Sequence, residues 1–142
     1  MTDPSLGVLL FIPYRHMEQR ILAAVNAAGH PITLAQGRLL QRIDPEGSRL
    51  TTLAEAAQMT KQSAGYLVDE LERAGYAERT PDPADGRAKL VRIAARGHEA
   101  IEVARPVQAQ IEEEWAVALG PDQTDALRRA LLTLRTLTDP YA

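Results

Sequence analysis

The side chains of this chain best placed to do chemistry are recognition groups rather than bond-making ones. Thr60, Lys61, Gln62 and Ser63 stand in series, with Tyr66 one helical turn further on. Together they open a stretch of helical periodicity. A glutamine amide at an exposed helix start can pair bidentately with adenine, and a lysine ammonium can meet guanine or phosphate. A solvated polar first turn is the plainer reading of the same residues. Further along, the run from Asp82 through Pro83, Ala84, Asp85 and Gly86 to Arg87 and Lys89 combines turn formers with two cations. Arg87 can extend into a minor groove, where negative potential draws a guanidinium, while Asp85 either holds it in an ion pair or braces the loop. Thr51 and Thr52 stand where a preceding helix would meet phosphate. Lys89 suits phosphate contact or simple solvation. Arg79 and Arg92 can instead be structural, their stems packed across a hairpin.

Other chemistries lack their residues. The chain has no cysteine, which removes disulfides, thiolate metal sites and thiol nucleophiles. His16, His30 and His98 lie far apart, with no carboxylate or second histidine at a metal-motif spacing. There is no nucleophile elbow and no phosphate-cradling glycine loop. Glu112, Glu113 and Glu114 read as a solvated face beside Trp115. A calcium loop at Asp82–Arg87 lacks the further oxygen ligands that an EF-hand supplies. No catalytic residue, metal or cofactor is therefore expected, and the chain does not read as an enzyme.

The elements that must position these groups follow from the apolar pattern. At 142 residues, 45% hydrophobic and 25% charged, the chain suits one folded domain. Aromatics are only 4%, and the abundance of Ala and Leu favours helices. Helical spacing over residues 6–28 predicts a long first helix, bent near Pro13. Thr33 caps a second helix running to Ile43, which ends at Asp44-Pro45-Glu46-Gly47. A short helix over 52–57, a turn at Gln58-Met59 and a Thr60-capped helix over 61–74 make a helix-turn-helix. Its inward residues are Leu53, Ala56, Ala57, Met59, Ala64, Leu67, Val68 and Leu71, with Gly75 as the stop. Gly65, inside that helix, points to a close neighbour, either a DNA backbone or another helix.

Residues 76–80 and 89–93 then form a β-hairpin around an eight-residue loop. Residues 94–119 return to helix, which Pro106 either kinks or splits. Gly120-Pro121 starts a last helix with Leu127, Leu131, Leu134 and Leu137 in an apolar stripe. A helix-turn-helix followed by a hairpin is the winged form of the motif, in which one helix enters the major groove and the hairpin lies beside it. The fold class is mainly α with a small β-hairpin wing.

A formal charge of -3 does not oppose nucleic acid once it is divided along the chain. Residues 1–59 hold five basic and five acidic side chains, residues 60–98 seven and six, and residues 99–142 four and eight. The acidity is C-terminal, whereas residues 86–98 carry Arg87, Lys89, Arg92 and Arg96 and no acid. No apolar run approaches the ~18 residues of a membrane helix, and no signal-peptide pattern opens the chain, so a cytoplasmic location is expected.

Residues 59–97 resemble the MarR family of bacterial regulators. The resemblance is carried by Leu71, Gly75 and Tyr76, then Arg79, then Asp82, Pro83, Asp85 and Arg87 in the wing, then Leu90, Val91, Ile93 and the Arg96-Gly97 helix start. Two positions depart from the family: Gly86 replaces a second wing arginine, and Ala94 replaces the usual capping Ser or Thr. The resemblance implies one MarR-type domain over 1–142, with a DNA-binding lobe at 33–98 and dimerisation helices at 1–30 and 99–142. It further implies a ligand-responsive repressor that binds a pseudopalindromic operator as a homodimer. An effector cavity between the dimerisation helices and the lobe would involve Tyr14 and His16. The competing class is a winged helix that contacts protein rather than DNA, which the overall acidity permits.

Overall fold

In the computed structural model, which describes residues 2–142, six helices and one hairpin follow in the order α1 (Leu6–Ala27), α2 (Leu34–Leu40), α3 (Leu50–Ala56), α4 (Lys61–Arg73), β1 (Ala77–Asp82), β2 (Asp85–Ile93), α5 (Ala95–Leu119) and α6 (Pro121–Thr138). None of the helices is long and apolar enough to cross a membrane. Side-chain caps set several of the boundaries. The Ser5 hydroxyl accepts the Val8 amide at 3.3 Å, and Thr33 and Gln36 close a reciprocal capping box. Thr60 Oγ1 accepts the Ser63 amide at 3.1 Å, as the sequence predicts.

Both helix-interior prolines lie within unbroken helices, α1 at Pro13 and α5 at Pro106, so α5 is not split. Both prolines are exposed, as are Leu9 and Glu102 four residues earlier, so water can reach the carbonyls they free. The second helix is shorter than its periodicity predicts. After Leu40 the backbone tightens, with Arg42 N donating to Leu39 O and Ile43 N to Leu40 O. The first helix of the motif starts two residues early, at Leu50 rather than Thr52. Arg49 is its N-cap but gives it no side-chain hydrogen bond.

The largest difference is in the hairpin. The strands run on to Asp82 and start again at Asp85, so only Pro83 and Ala84 connect them, with a register shift at Pro81/Asp82. Asp82 makes this tight turn possible. Its Oδ1 accepts the Ala84 amide at 2.9 Å, while Oδ2 accepts Arg49 Nε and Nη2 at 3.1 and 2.8 Å. The wing is thereby clamped to the entry of α3. On the other edge of β2, Ser48 and Val91 exchange backbone hydrogen bonds at 2.9 and 2.7 Å, a third strand contact that a Gly-Ser-Arg stretch does not advertise.

The core sits where α2, α3 and α4 meet the hairpin. Leu39, Leu53, Ala64 and Val68 are fully buried and Leu71 nearly so. Ala54, outside the expected set, is buried at 3% exposure, whereas Ala56, Ala57, Met59 and Leu67 are only half-buried. The turn between α3 and α4 places Gln58 at φ 58°, with its side-chain amide donating to Glu55 O at 2.8 Å.

Tyr76 joins this lobe to the long helices. Its hydroxyl and His30 Nδ1 share a 3.0 Å hydrogen bond, its ring lies under the Arg96 guanidinium at 4.5 Å, and its carbonyl accepts the Ala94 amide at 3.0 Å. Gly75 supplies the turn into it at φ 86°. Gly97 faces the same carbonyl so closely that a Cβ there would lie 2.3 Å from Tyr76 O.

Gly97→Ala is expected to destabilise the protein by about 3 kcal/mol or to prevent folding, because backbone must shift to admit the methyl. Urea unfolding measures this, and a loss below about 0.5 kcal/mol would show that the junction is slack. The Ala84 amide and the Arg49 guanidinium hold the Asp82 carboxyl below its usual value of 3.8. A lowered folded-state pKa gives stability that is present above 3.8 and fades as the pH falls through the folded value. Asp82→Asn should therefore be less stable than the native chain near neutral pH, and the gap should narrow towards pH of about 3. A pH-independent gap would remove the charge from the clamp.

Candidate nucleic-acid interface

Burial along α4 follows one stripe, Ala64, Val68 and Leu71, so the opposite face looks outward by geometry alone. Lys61, Gln62 and Ser63 are exposed in its first turn, and Tyr66 is 62% exposed one turn later. The helix has no acidic residue in that turn, leaving Lys61 beside its positive dipole end. Gly65 meets another helix: a Cβ there would touch Leu50 of α3 at 3.5 Å. Thr60 is exposed but its oxygen already accepts the Ser63 amide, and its hydroxyl donates to Ser63 Oγ at 2.9 Å.

In the wing, Asp85, Gly86, Arg87 and Lys89 are all exposed. Of the two readings of Asp85, the geometry selects the brace. Its Oδ1 accepts the Arg87 amide at 3.1 Å, and its other oxygen lies 3.8 Å from Arg49. The Arg87 guanidinium and the Lys89 ammonium make no ion pair among the described residues. Gly86 borders open space. Arg79 and Arg92 are structural. Arg79 pairs with Asp69 and Glu72 of α4 at 2.8 Å each, and Arg92 Nε donates to Thr80 Oγ1 across the hairpin at 3.0 Å. Thus Lys61, Arg87 and Lys89 make no ion pair among the described residues, while Arg79 and Arg49 beside them are paired with carboxylates.

The threonines of α3 differ. Thr51 is exposed, whereas half-buried Thr52 lies near the Tyr141 hydroxyl, which donates to Glu55. Sequence reasoning missed this contact and the Arg49–Asp82 clamp, because each joins residues far apart with no shared periodicity.

A cavity of about 600 Å³ lies between α1, α2 and α5, lined by Met17, Ile21, Leu22, Ile101 and Ala104 among others. Tyr14 lies on it, but His16 does not, and instead sits exposed near Glu114. Its polar edge is Glu18, which accepts Arg38 Nε and Nη2 at 2.7 and 2.9 Å and the Tyr14 hydroxyl at 3.0 Å. Arg38 chiefly, with help from Tyr14 and Arg15, keeps the Glu18 carboxyl below its usual range. Outside the cavity, Leu6, Phe11 and Ile12 of α1 and Leu131, Leu132 and Leu137 of α6 are exposed, and α6 buries no residue in this chain.

Comparison with known proteins agrees with this geometry. The MarR family model matches residues 30–88, from the end of α1 through the wing. An uncharacterised HTH-type transcriptional regulator of Mycobacterium leprae is 29% identical over 110 residues, covering 77% of each chain. The transcriptional regulator HosA of Escherichia coli is 29% identical over 82 residues, 58% of this chain and 61% of HosA. Among solved structures, MarR itself superposes with a TM-score of 0.78 at 26% identity, covering 96% of this chain and 92% of that one. The transcriptional repressor CouR, bound to a 23-mer DNA duplex, gives 0.70 at 26% identity over 92% of both chains. Residues 30–88 match the MarR family, and over most of its length the chain is similar to winged helix-turn-helix transcriptional regulators of that family.

Proposed function

We propose that the protein is a homodimeric, ligand-responsive repressor that binds a pseudopalindromic DNA site. The observation that supports DNA binding is the set of exposed polar and cationic side chains, Lys61, Gln62, Ser63 and Tyr66 on α4 and Arg87 and Lys89 on the wing, with Lys61, Arg87 and Lys89 free of ion pairs among the described residues. In the groove, the first turn of α4 reads base edges, Gln62 with adenine and Lys61 with guanine or phosphate. Arg87 enters the flanking minor groove, and Asp85 keeps the loop in shape behind it. Thr51 and Lys89 add phosphate contacts, which position rather than specify. Thr60 supports the surface through the bonds it already makes, and half-buried Thr52 stands near Tyr141 rather than in solvent.

Dimerisation is supported by the apolar side chains that α1 and α6 leave exposed. A contiguous apolar face of that extent on a regulator calls for a partner, and a second copy placing two α4 helices about one DNA turn apart suits a pseudopalindrome. Ligand response is supported by the cavity, whose walls come from both the long helices and the lobe. A small, largely apolar molecule with one or two polar groups fits it, meeting Tyr14, Glu18 and Arg38 at its edge. Such a molecule releases DNA only by binding more tightly to the DNA-incompetent arrangement of the lobes. Repression is the function of CouR, the DNA-bound relative. Binding to chromosomal DNA calls for a cytoplasmic location.

Two outcomes are expected. Arg87→Ala should weaken binding to a duplex selected from genomic fragments by about tenfold and lower the salt slope by about one, with the melting curve unchanged. An unaltered salt titration would remove Arg87 from the interface. Sedimentation equilibrium at micromolar concentration should give twice the chain mass, whereas a stable monomer would overturn the paired-lobe arrangement.

A further inference from the structure

We propose that the segment after α6 is a strap in which Asp139 and Tyr141 are positioning residues, fixing the lobe's orientation on the long helices and hence the half-site spacing that a dimer accepts. The inference rests on the DNA-binding dimer described above but assigns residues that neither touch DNA nor line the larger cavity.

The four residues that follow α6 are held at several points. Asp139 caps α6, and its side chain is only 13% exposed. Its carboxylate accepts Arg42 Nη2 at 2.9 and 3.1 Å, Arg135 Nε at 3.0 Å and the Tyr141 amide at 3.0 Å. The Tyr141 hydroxyl donates to Glu55 on α3, beside Thr52. The Tyr141 amide, with Arg135 and Arg42, lowers the Asp139 carboxyl to about 2, so the ionised form holds the strap across the physiological range.

The strap lies at a mechanically sensitive point. Apart from it, α6 packs chiefly on α5. Arg42 follows α2 one turn after Arg38, which pairs with Glu18 of α1. The α2–α3 unit is thus tied to α1 on one side and to the end of α6 on the other. Between strap and lobe lies an open space of about 300 Å³, lined by Gln41, Ala57, Gln58 and Pro140. Side-chain contacts across a gap, rather than packed core, hold this side of the lobe. Each exposed ion pair contributes little stability alone, but contacts joining separate elements fix an angle.

The test uses the full-length protein, Asp139→Asn and Tyr141→Phe, and duplexes whose two half-sites are moved apart one base pair at a time. The native protein should favour one spacing over its neighbours by about tenfold, and both variants should reduce that preference to about threefold or less. Loss of a negative charge at Asp139 raises affinity for every spacing alike, and Tyr141→Phe changes no charge, so the shape of the profile isolates positioning. A merely structural role would lower the melting temperature and leave the profile intact, and that result overturns the strap. Native protein that binds none of the duplexes contradicts DNA binding instead. Lobe separation then judges the strap without DNA. Gly86→Cys gives a unique thiol for a spin label in a chain with no cysteine, at a position where a side chain meets no neighbour. Both variants should broaden the label-to-label distance distribution, and an unchanged distribution overturns the proposal.

Discussion

Everything the wing and α4 present to a partner depends on how Tyr76 is held. One buried residue at the exit of the helix-turn-helix contacts the end of α1 through His30 and the start of α5 through Ala94, Arg96 and Gly97. Besides the ion pairs that tie Arg38 to Glu18 and Arg42 to Asp139, the lobe and the long helices therefore meet at a tight junction here. A Cβ at position 97 would press on its backbone, so the sequence carries glycine there although glycine lowers helix stability. A cavity walled by α1, α2 and α5 lies against the same helices.

Electrostatics organises the surface by pairing rather than by net charge. Four arginines of the lobe are ion-paired: Arg38 with Glu18, Arg42 with Asp139, Arg49 with Asp82, Arg79 with Asp69 and Glu72. These pairs set the positions of helices and wing. Lys61, Arg87 and Lys89, on α4 and the wing, make no ion pair among the described residues, while the acidic surplus resides in residues 99–142. An overall formal charge of -3 is thus compatible with a locally cationic surface.

What the sequence disclosed and what it concealed divide along physical lines. The extent of α4 was legible because Thr60, the apolar stripe and Gly75 are local signals with fixed geometry. So were the order of elements and the exposed stripe of α6, which lacks a partner within the chain. The wing was misjudged as a long loop, since proline and aspartate at 81–83 read as strand breakers. Asp82 instead closes the turn by accepting Ala84 and Arg49 at once, and nothing at Arg49 announces a partner in the wing. The Pro106 alternatives resolved towards one long helix because the lost hydrogen bond lies on a solvated face. His16 and Tyr14 illustrate the limit of carrying a cavity over by resemblance. Two residues apart on α1, they point to different sides, and only Tyr14 reaches the space.

The central claim is that two copies of this winged lobe read paired half-sites on duplex DNA. Selection of bound genomic fragments followed by footprinting tests it most directly. The predicted result is two protected segments related by an inverted repeat, centred about one helical turn apart on the same face of the duplex. Retention of fragments without a common inverted repeat, or no retention at moderate salt, would contradict it.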